Sequence, residues 1–240
     1  AQFVALVHQT LLWSGDRAFA EDMLPVTGLC IHYLRRTTRG FEDIQPDLAE
    51  DVRAALVGQA YILHLTGAED AAIRALIEKL PAQEEQPEEN LTLAQKAMRC
   101  GEQAHIGRMI GKLGQMVHTA APGLPGSIRT EDAAPGVLLQ ASAGYGLVRT
   151  VFNSLFGIRP DAGKKEIFWH PHTPIGWEGW QIENVKIGGD LFNVKSERVS
   201  PSQARYTLTT DGQGWRVKTM ENGEIKETEV NGELSLVMED

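Results

Sequence analysis

Tryptophans grouped late in the chain are the residues whose type and spacing most directly suggest chemistry. Four of the five tryptophans follow residue 157, and Trp169, Trp177 and Trp180 lie within one short stretch. Because aromatic faces suit the C–H faces of pyranose rings, these three indoles could form a platform on which a sugar stacks. The alternative interpretation is structural, in which the same side chains seal a junction between two domains, and the sequence favours this alternative.

Two histidines beside these tryptophans have a spacing that permits a shared metal ion. His170 and His172 flank Pro171, and side chains two positions apart on a strand point to the same face. No third ligand is evident nearby, and Cys30 and Cys100 do not form a Cys-x-x-Cys pair. The sequence therefore predicts no metal site and no cofactor.

The acidic composition argues against two classes of partner. The 240 residues carry 23 Lys and Arg against 32 Asp and Glu, which gives a net charge of −9. An acidic chain without a basic block is poorly suited to nucleic acid or to an anionic membrane surface. No apolar run reaches the roughly 18 residues that a transmembrane helix needs. We therefore expect no nucleic acid and no membrane among the partners.

The chain that positions these residues divides into two regions. In the first, residues 1–157, the apolar residues have helical spacing. Apolar residues recur every three or four positions in the first segment, Gly15 should end it, and Asp16 is placed to cap the next helix. Further helices are predicted over residues 47–65, 69–80, 93–119 and 137–156. We expect residues 1–157 to form a domain of helical hairpins.

Residues 158–240 follow a different pattern. Short runs alternate between polar and apolar residues, and turn sequences separate them, of which Asn222-Gly223 is the strongest hairpin signal. Strands are predicted over residues 166–170, 182–187, 191–195, 204–209, 215–218 and 233–237. This region is therefore predicted to be an antiparallel β-sandwich or a small barrel.

Two stretches of the chain resemble a known enzyme family. The segment FVALVHQTLLWSGD, which begins at Phe3, and the segment from Tyr145 to Trp180 are similar to the six-hairpin, (α/α)6-toroid glycoside hydrolases of the α-L-rhamnosidase-like branch. The likeness is sharpest over residues 140–185. The positions that match the spacing of that branch are Gly157, Ile158, Pro160, Asp161, Pro171, Pro174, Gly176 and Trp177.

The resemblance implies a fold class of mainly α-helical hairpins, part of an (α/α)6 toroid, followed by an antiparallel β-sandwich. Residues 1–157 supply about half of the helices of such a toroid. The resemblance therefore implies that upstream polypeptide of the same chain, or a second chain, completes the ring and covers Phe3, Leu6 and Leu11. The expected substrate is a carbohydrate, hydrolysed with inversion at an α-L-rhamnoside-like or related glycosidic bond.

The resemblance also implies site residues. Glu131 occupies the position of the base that activates water in inverting hydrolysis. Asp132 and Asp43 are candidate substrate-binding acids in loops. Gln140 and Tyr145 lie on the predicted small-residue helix, whose N-terminal end would open on the toroid mouth, and are candidate substrate-binding side chains.

A second interpretation of the same residues is non-catalytic. No Trp precedes Glu131, and Leu138-Leu139-Gln140-Ala141 stands where the branch has Ser-Leu-Asn-His. Glu131 is then a solvated loop carboxylate. The chain would be a carbohydrate-binding or assembly module derived from such an enzyme.

Overall fold

Two compact units make up the fold. The computed structural model describes residues 1–41, 44, 46–80, 151–174, 176–221 and 224–239. The first unit contains the helical N-terminal part of the chain together with Pro160–Glu166 and Lys186–Asp190. The other strand residues belong to the second unit. The predicted boundary after residue 157 stays a prediction.

Four α-helices form most of the first unit. Their bounds are α1 Gln2–Ser14, α2 Arg17–Thr37, α3 Pro46–Thr66 and α4 Ala71–Lys79. Gly15 adopts a left-handed conformation with φ 61° and ends α1, because glycine reaches this region without a steric penalty. The carboxylate of Asp16 accepts a hydrogen bond from the backbone N–H of Phe19 at 3.0 Å and caps α2. Both predictions about this helix boundary are confirmed.

Helix α3 is the centre of the first unit, since it packs against α1, α2 and α4. Gly58 permits the close approach of α1, because a β-carbon at this position would lie 3.0 Å from the Cβ of His8. Two apolar clusters result. The first contains Val4, Ile31, Phe41, Val52, Ala55, Leu56 and Leu80, and the second contains Val7, Leu11, Ala20 and Ile62.

In the described part of the chain, the β-strands form two sheets of four strands each. The strands are β1 Ile158–Asp161, β2 Glu166–Trp169, β3 Gly179–Ile187, β4 Asp190–Ser200, β5 Gln203–Thr210, β6 Trp215–Glu221, β7 Glu224–Val230 and β8 Glu233–Glu239. The strand orders are β1-β2-β6-β7 and β3-β4-β5-β8. Phe192 of β4 and Trp215 of β6 meet edge to face with ring centroids 4.9 Å apart, and both are buried. Alternation along β4 and β5 directs one row of side chains into this core.

The predicted fold class is wrong. The chain is not a domain of mainly helical hairpins from an (α/α)6 toroid followed by a β-sandwich. It is mixed α/β, and in the described residues four α-helices accompany two β-sandwich-like sheets. The helices bury their apolar faces around α3, so Leu11 is fully buried within the unit. Phe3 and Leu6, which a completed toroid was expected to cover, are 46% and 57% exposed.

The remaining differences concern the ends of the predicted regions. The helix predicted over residues 93–119 lies outside the described residues. Of the segment 137–156, the described part forms a π-helical turn at Val151–Leu155. Strands β1 and β7 were not predicted, because β1 is short and β7 is largely charged and exposed. Both are edge strands, where polar residues and proline are tolerated. No helix in the described part of the chain is long and apolar enough to cross a membrane.

Candidate functional site

The residues that the sequence assigns to catalysis and substrate binding lie outside the described residues. These are Glu131, Asp132, Gln140, Tyr145 and Asp43. Their roles stay predictions.

The first unit contains a polar cluster built on Asp161, the aspartate of the family-like motif. The phenol of Tyr61, on α3, donates a hydrogen bond of 2.7 Å to one carboxylate oxygen. The backbone N–H of Lys164 donates to the same oxygen at 3.3 Å, and its ammonium donates to the other oxygen at 2.7 Å. His8 of α1 packs against Tyr61 with ring centroids 4.9 Å apart. Both oxygens of Asp161 are thus engaged, and the cluster ties α3 to the turn that follows β1.

The electrostatics of this cluster favour the neutral forms of Tyr61 and His8. Burial, and then the bond to Asp161, raise the pKa of Tyr61 well above its usual value, so the side chain stays a neutral phenol. Burial also lowers the pKa of His8, although Asp161 opposes this effect. General acid–base catalysis is most efficient with a group whose pKa lies near the working pH. Tyr61 is therefore unsuited to proton transfer, and its hydrogen bond to Asp161 has the structural role of joining α3 to the turn that follows β1.

The tryptophans of the second unit differ in exposure. Trp169 and Trp215 are fully buried core residues. Trp180 is half-buried, donates its indole N–H to the carbonyl of His172 at 2.8 Å, and packs against Phe156 at a centroid distance of 5.0 Å. Trp177 is 37% exposed. Trp169 is therefore a core residue, and Trp177 is the exposed ring of the predicted platform. The role of these side chains in sealing a domain junction stays a prediction.

Arg198, on β4, fixes the loop that carries Trp177. Its Nε donates to the carbonyl of Trp177 at 2.9 Å, and its Nη1 donates to that of Pro201 at 3.2 Å. Its Nη2 donates to the carbonyls of Thr173 and Pro174 at 2.9 and 3.1 Å. The planar guanidinium suits this task because it presents several N–H groups in fixed directions. One side chain therefore holds four backbone carbonyls.

Backbone contacts add to the anchoring of the same loop, of which residues 171–174 and 176–178 are described. The N–H of Trp177 donates to the carbonyl of Pro174 at 3.0 Å, and the N–H of Arg198 donates to that of Glu178 at 2.8 Å. Beneath the loop, the hydroxyls of Thr173 and Ser196 form a buried hydrogen bond. The result is an exposed indole on a backbone held by hydrogen bonds, with the exposed Glu178 next to it.

The two histidines come together as the sequence suggests. The rings of His170 and His172 meet edge to face with centroids 4.6 Å apart. Burial, and then the nearby Arg159 guanidinium, lower the pKa of His170. Within the described ranges, no group of three or more His, Cys, Asp or Glu side chains is placed to hold a metal ion.

Sequence patterns do not identify the residues that position the Asp161 cluster and the loop that carries Trp177. Arg198 sits in an alternating strand run, and the four carbonyls that it binds lie in two loops. Tyr61 is far from Asp161 in sequence, and only the packing of α3 brings them together. The match of Asp161 to the family motif was the one signal in the sequence. It indicated that Asp161 is important but did not identify Tyr61 as its partner.

Comparisons with known proteins give no relative. No protein-family model matches the chain. No curated protein and no solved structure matches it. A functional assignment therefore depends on the residues and geometry of this chain alone.

Proposed function

We propose that the second unit binds carbohydrate without hydrolysing it, and that the indole of Trp177 stacks on the sugar ring. The observation that carries the proposal is the exposed Trp177 on a loop whose carbonyls are held by Arg198. Aromatic side chains contribute large contact area with few rotatable bonds. A backbone held in place before binding loses little conformational freedom when the ligand arrives.

The neighbouring groups suit a hydroxylated ligand. Glu178 is exposed next to Trp177, and a carboxylate accepts hydrogen bonds from sugar hydroxyls at the ring edge. The loop carbonyls of Thr173, Pro174 and Trp177 are already bound by Arg198. Polar recognition is therefore assigned to Glu178, and stacking is assigned to Trp177.

Trp177→Ala tests the binding function, and we expect it to weaken glycan binding at least about tenfold, or about 1.4 kcal/mol, because the stacking surface is removed. Binding is measured by affinity electrophoresis in gels that contain a rhamnose-bearing pectin or a rhamnose-free β-glucan. Val199→Ala is the matched control, since Val199 is also exposed and adjoins Arg198. Equal retardation of wild type and Trp177→Ala in both gels, or no retardation of the wild type, would contradict the proposal.

Glycoside hydrolysis is a second candidate function, favoured by the match of Gly157–Trp177 to the rhamnosidase-like spacing. Glu131 would act as the base, and the product would carry the inverted anomeric configuration. If the chain hydrolyses glycosides, Glu131→Gln should lower turnover at least about a hundredfold, whereas Asp132→Asn, its neighbour, should change turnover less. Product is measured by NMR of the fresh anomer from an aryl α-L-rhamnoside. Unchanged turnover in Glu131→Gln, or no hydrolysis by the wild type, excludes this function.

A further inference from the structure

Helix α2 carries an exposed strip of side chains with coiled-coil spacing. The strip consists of Asp22, Val26, Leu29, Tyr33 and Arg36, which recur at alternating steps of four and three residues. Such steps place side chains along one seam of a helix. Leu29 is 71% exposed and Tyr33 is 66% exposed. Exposed large apolar side chains in a row mark an interaction surface.

The charges at the two ends of this α2 strip have opposite sign. Asp22 lies seven residues before Leu29, and Arg36 lies seven residues after it. At a rise of about 1.5 Å per residue, each charge is about 10 Å from Leu29. Among the described residues, neither Asp22 nor Arg36 has an ion-pair partner within its own chain. The strip is thus complementary in charge to its own reversed copy.

We propose that the α2 strip binds the α2 strip of a second copy of this chain in antiparallel orientation. A two-fold axis at Leu29 places the two leucines in contact and sets Val26 against Tyr33 of the second copy. The same axis pairs Asp22 with Arg36 of the second copy twice. A parallel arrangement would instead oppose like charges at both ends, which disfavours it. The interface is isologous, as in most homodimers.

The size of this strip sets the expected strength of the dimer. One pair of helices buries less than the about 1,200 Å² of a standard stable interface. Exposed ion pairs at its ends contribute only about 0–1 kcal/mol each. Apolar contact therefore supplies the affinity and the charges supply the orientation. We expect a dissociation constant between about 10 µM and about 1 mM.

Sedimentation equilibrium of the whole chain tests this dimer. The weight-average mass of the wild type should rise with concentration from 26.4 kDa towards twice that value. Leu29→Asp should remain a monomer at every concentration, because two carboxylates would meet on the axis. Ile225→Asp is the matched control, since Ile225 of β7 is 63% exposed and lies outside the strip; it should dimerise like the wild type. Circular dichroism confirms that each variant is folded.

Charge exchange tests the antiparallel orientation. Asp22→Arg and Arg36→Asp should each weaken dimerisation at least about threefold, and the double exchange should restore it, because both ion pairs reform with reversed sign. Added salt should reduce the difference between the variants. A wild type that stays at 26.4 kDa throughout overturns the proposal. So does a Leu29→Asp variant that dimerises normally, or a double exchange that fails to recover.

Discussion

Gly157→Ala is expected to unfold the second unit, or to lower its free energy of unfolding by about 4 kcal/mol or more. Gly157 has φ 66°, and a β-carbon there would lie 2.1 Å from both the carbonyl carbon and the oxygen of His170. It would also lie 2.4 Å from the nitrogen of Pro171. These atoms are backbone, so no side-chain rotation relieves the overlap. The left-handed conformation adds about 1–2 kcal/mol for any residue with a β-carbon.

Gly189→Ala is the control for this substitution. Gly189 also lies in a turn, but a β-carbon there would meet no atom within 4 Å. The measurement is chemical denaturation followed by fluorescence of the buried Trp169 and Trp215. Equal midpoints for Gly157→Ala and Gly189→Ala would show that the backbone at His170 yields easily. The close approach of Gly157 to His170 would then be no constraint on the fold.

Arg198→Met is expected to lower the free energy of unfolding by about 2–4 kcal/mol and to abolish glycan binding. The variant removes the guanidinium donors to the carbonyls of Thr173, Pro174, Trp177 and Pro201. Arg198→Lys should recover little of the lost stability or glycan binding. The single ammonium of lysine cannot donate to four carbonyls in the directions that a guanidinium reaches. The loop then loses its fixed conformation, and Trp177 must be ordered during binding.

Arg205→Met is the matched control for Arg198. Arg205 lies on the adjacent strand β5, opposite Glu197, and is exposed. Its removal should change the free energy of unfolding by no more than about 0.5 kcal/mol and leave glycan binding intact. The measurements are urea denaturation and affinity electrophoresis on the same preparations. Full binding by Arg198→Met would contradict the role of the clamp.

The local structure follows well from the sequence. Gly15 and Asp16 fix the junction of α1 and α2 because their conformational and capping preferences act within a few residues. Alternation predicts the six strands that have one buried face. The edge strand β7 lacks this signal, since most of its side chains are exposed. Its pairing with β6 places Glu221 opposite Glu224, as the Asn222-Gly223 hairpin signal predicts.

The overall fold class does not follow from the same patterns. Helical periodicity identifies α1, α2, α3 and α4 but not which helices pack together. The toroid required Leu11 to be covered by other polypeptide, whereas α3 covers it within the first unit. The motif spacing likewise identified Gly157 and Asp161 as residues of interest, but it did not show what roles they have. These roles depend on contacts with His170 and Tyr61, which are distant in sequence.

Only part of the candidate site could be predicted from the sequence. Trp177 was identifiable because it lies close in sequence to Trp169 and Trp180, and grouped aromatic side chains suggest sugar stacking. Its exposure, and the burial of Trp169, depend on which strand faces turn towards the core. Arg198 could not be identified, because its partners are backbone carbonyls that every residue carries. Glu131 and the other predicted site residues lie outside the described residues and stay predictions.

The most direct test of glycan binding through Trp177 is a titration of the tryptophan indole N–H signals in NMR spectra of chain labelled at tryptophan. The signal of Trp177, assigned with Trp177→Phe, should shift progressively as a rhamnose-bearing oligosaccharide is added. The indole of Trp180, which is bonded to His172, and those of Trp169 and Trp215 should keep their positions. An unchanged Trp177 signal at saturating oligosaccharide would contradict the account.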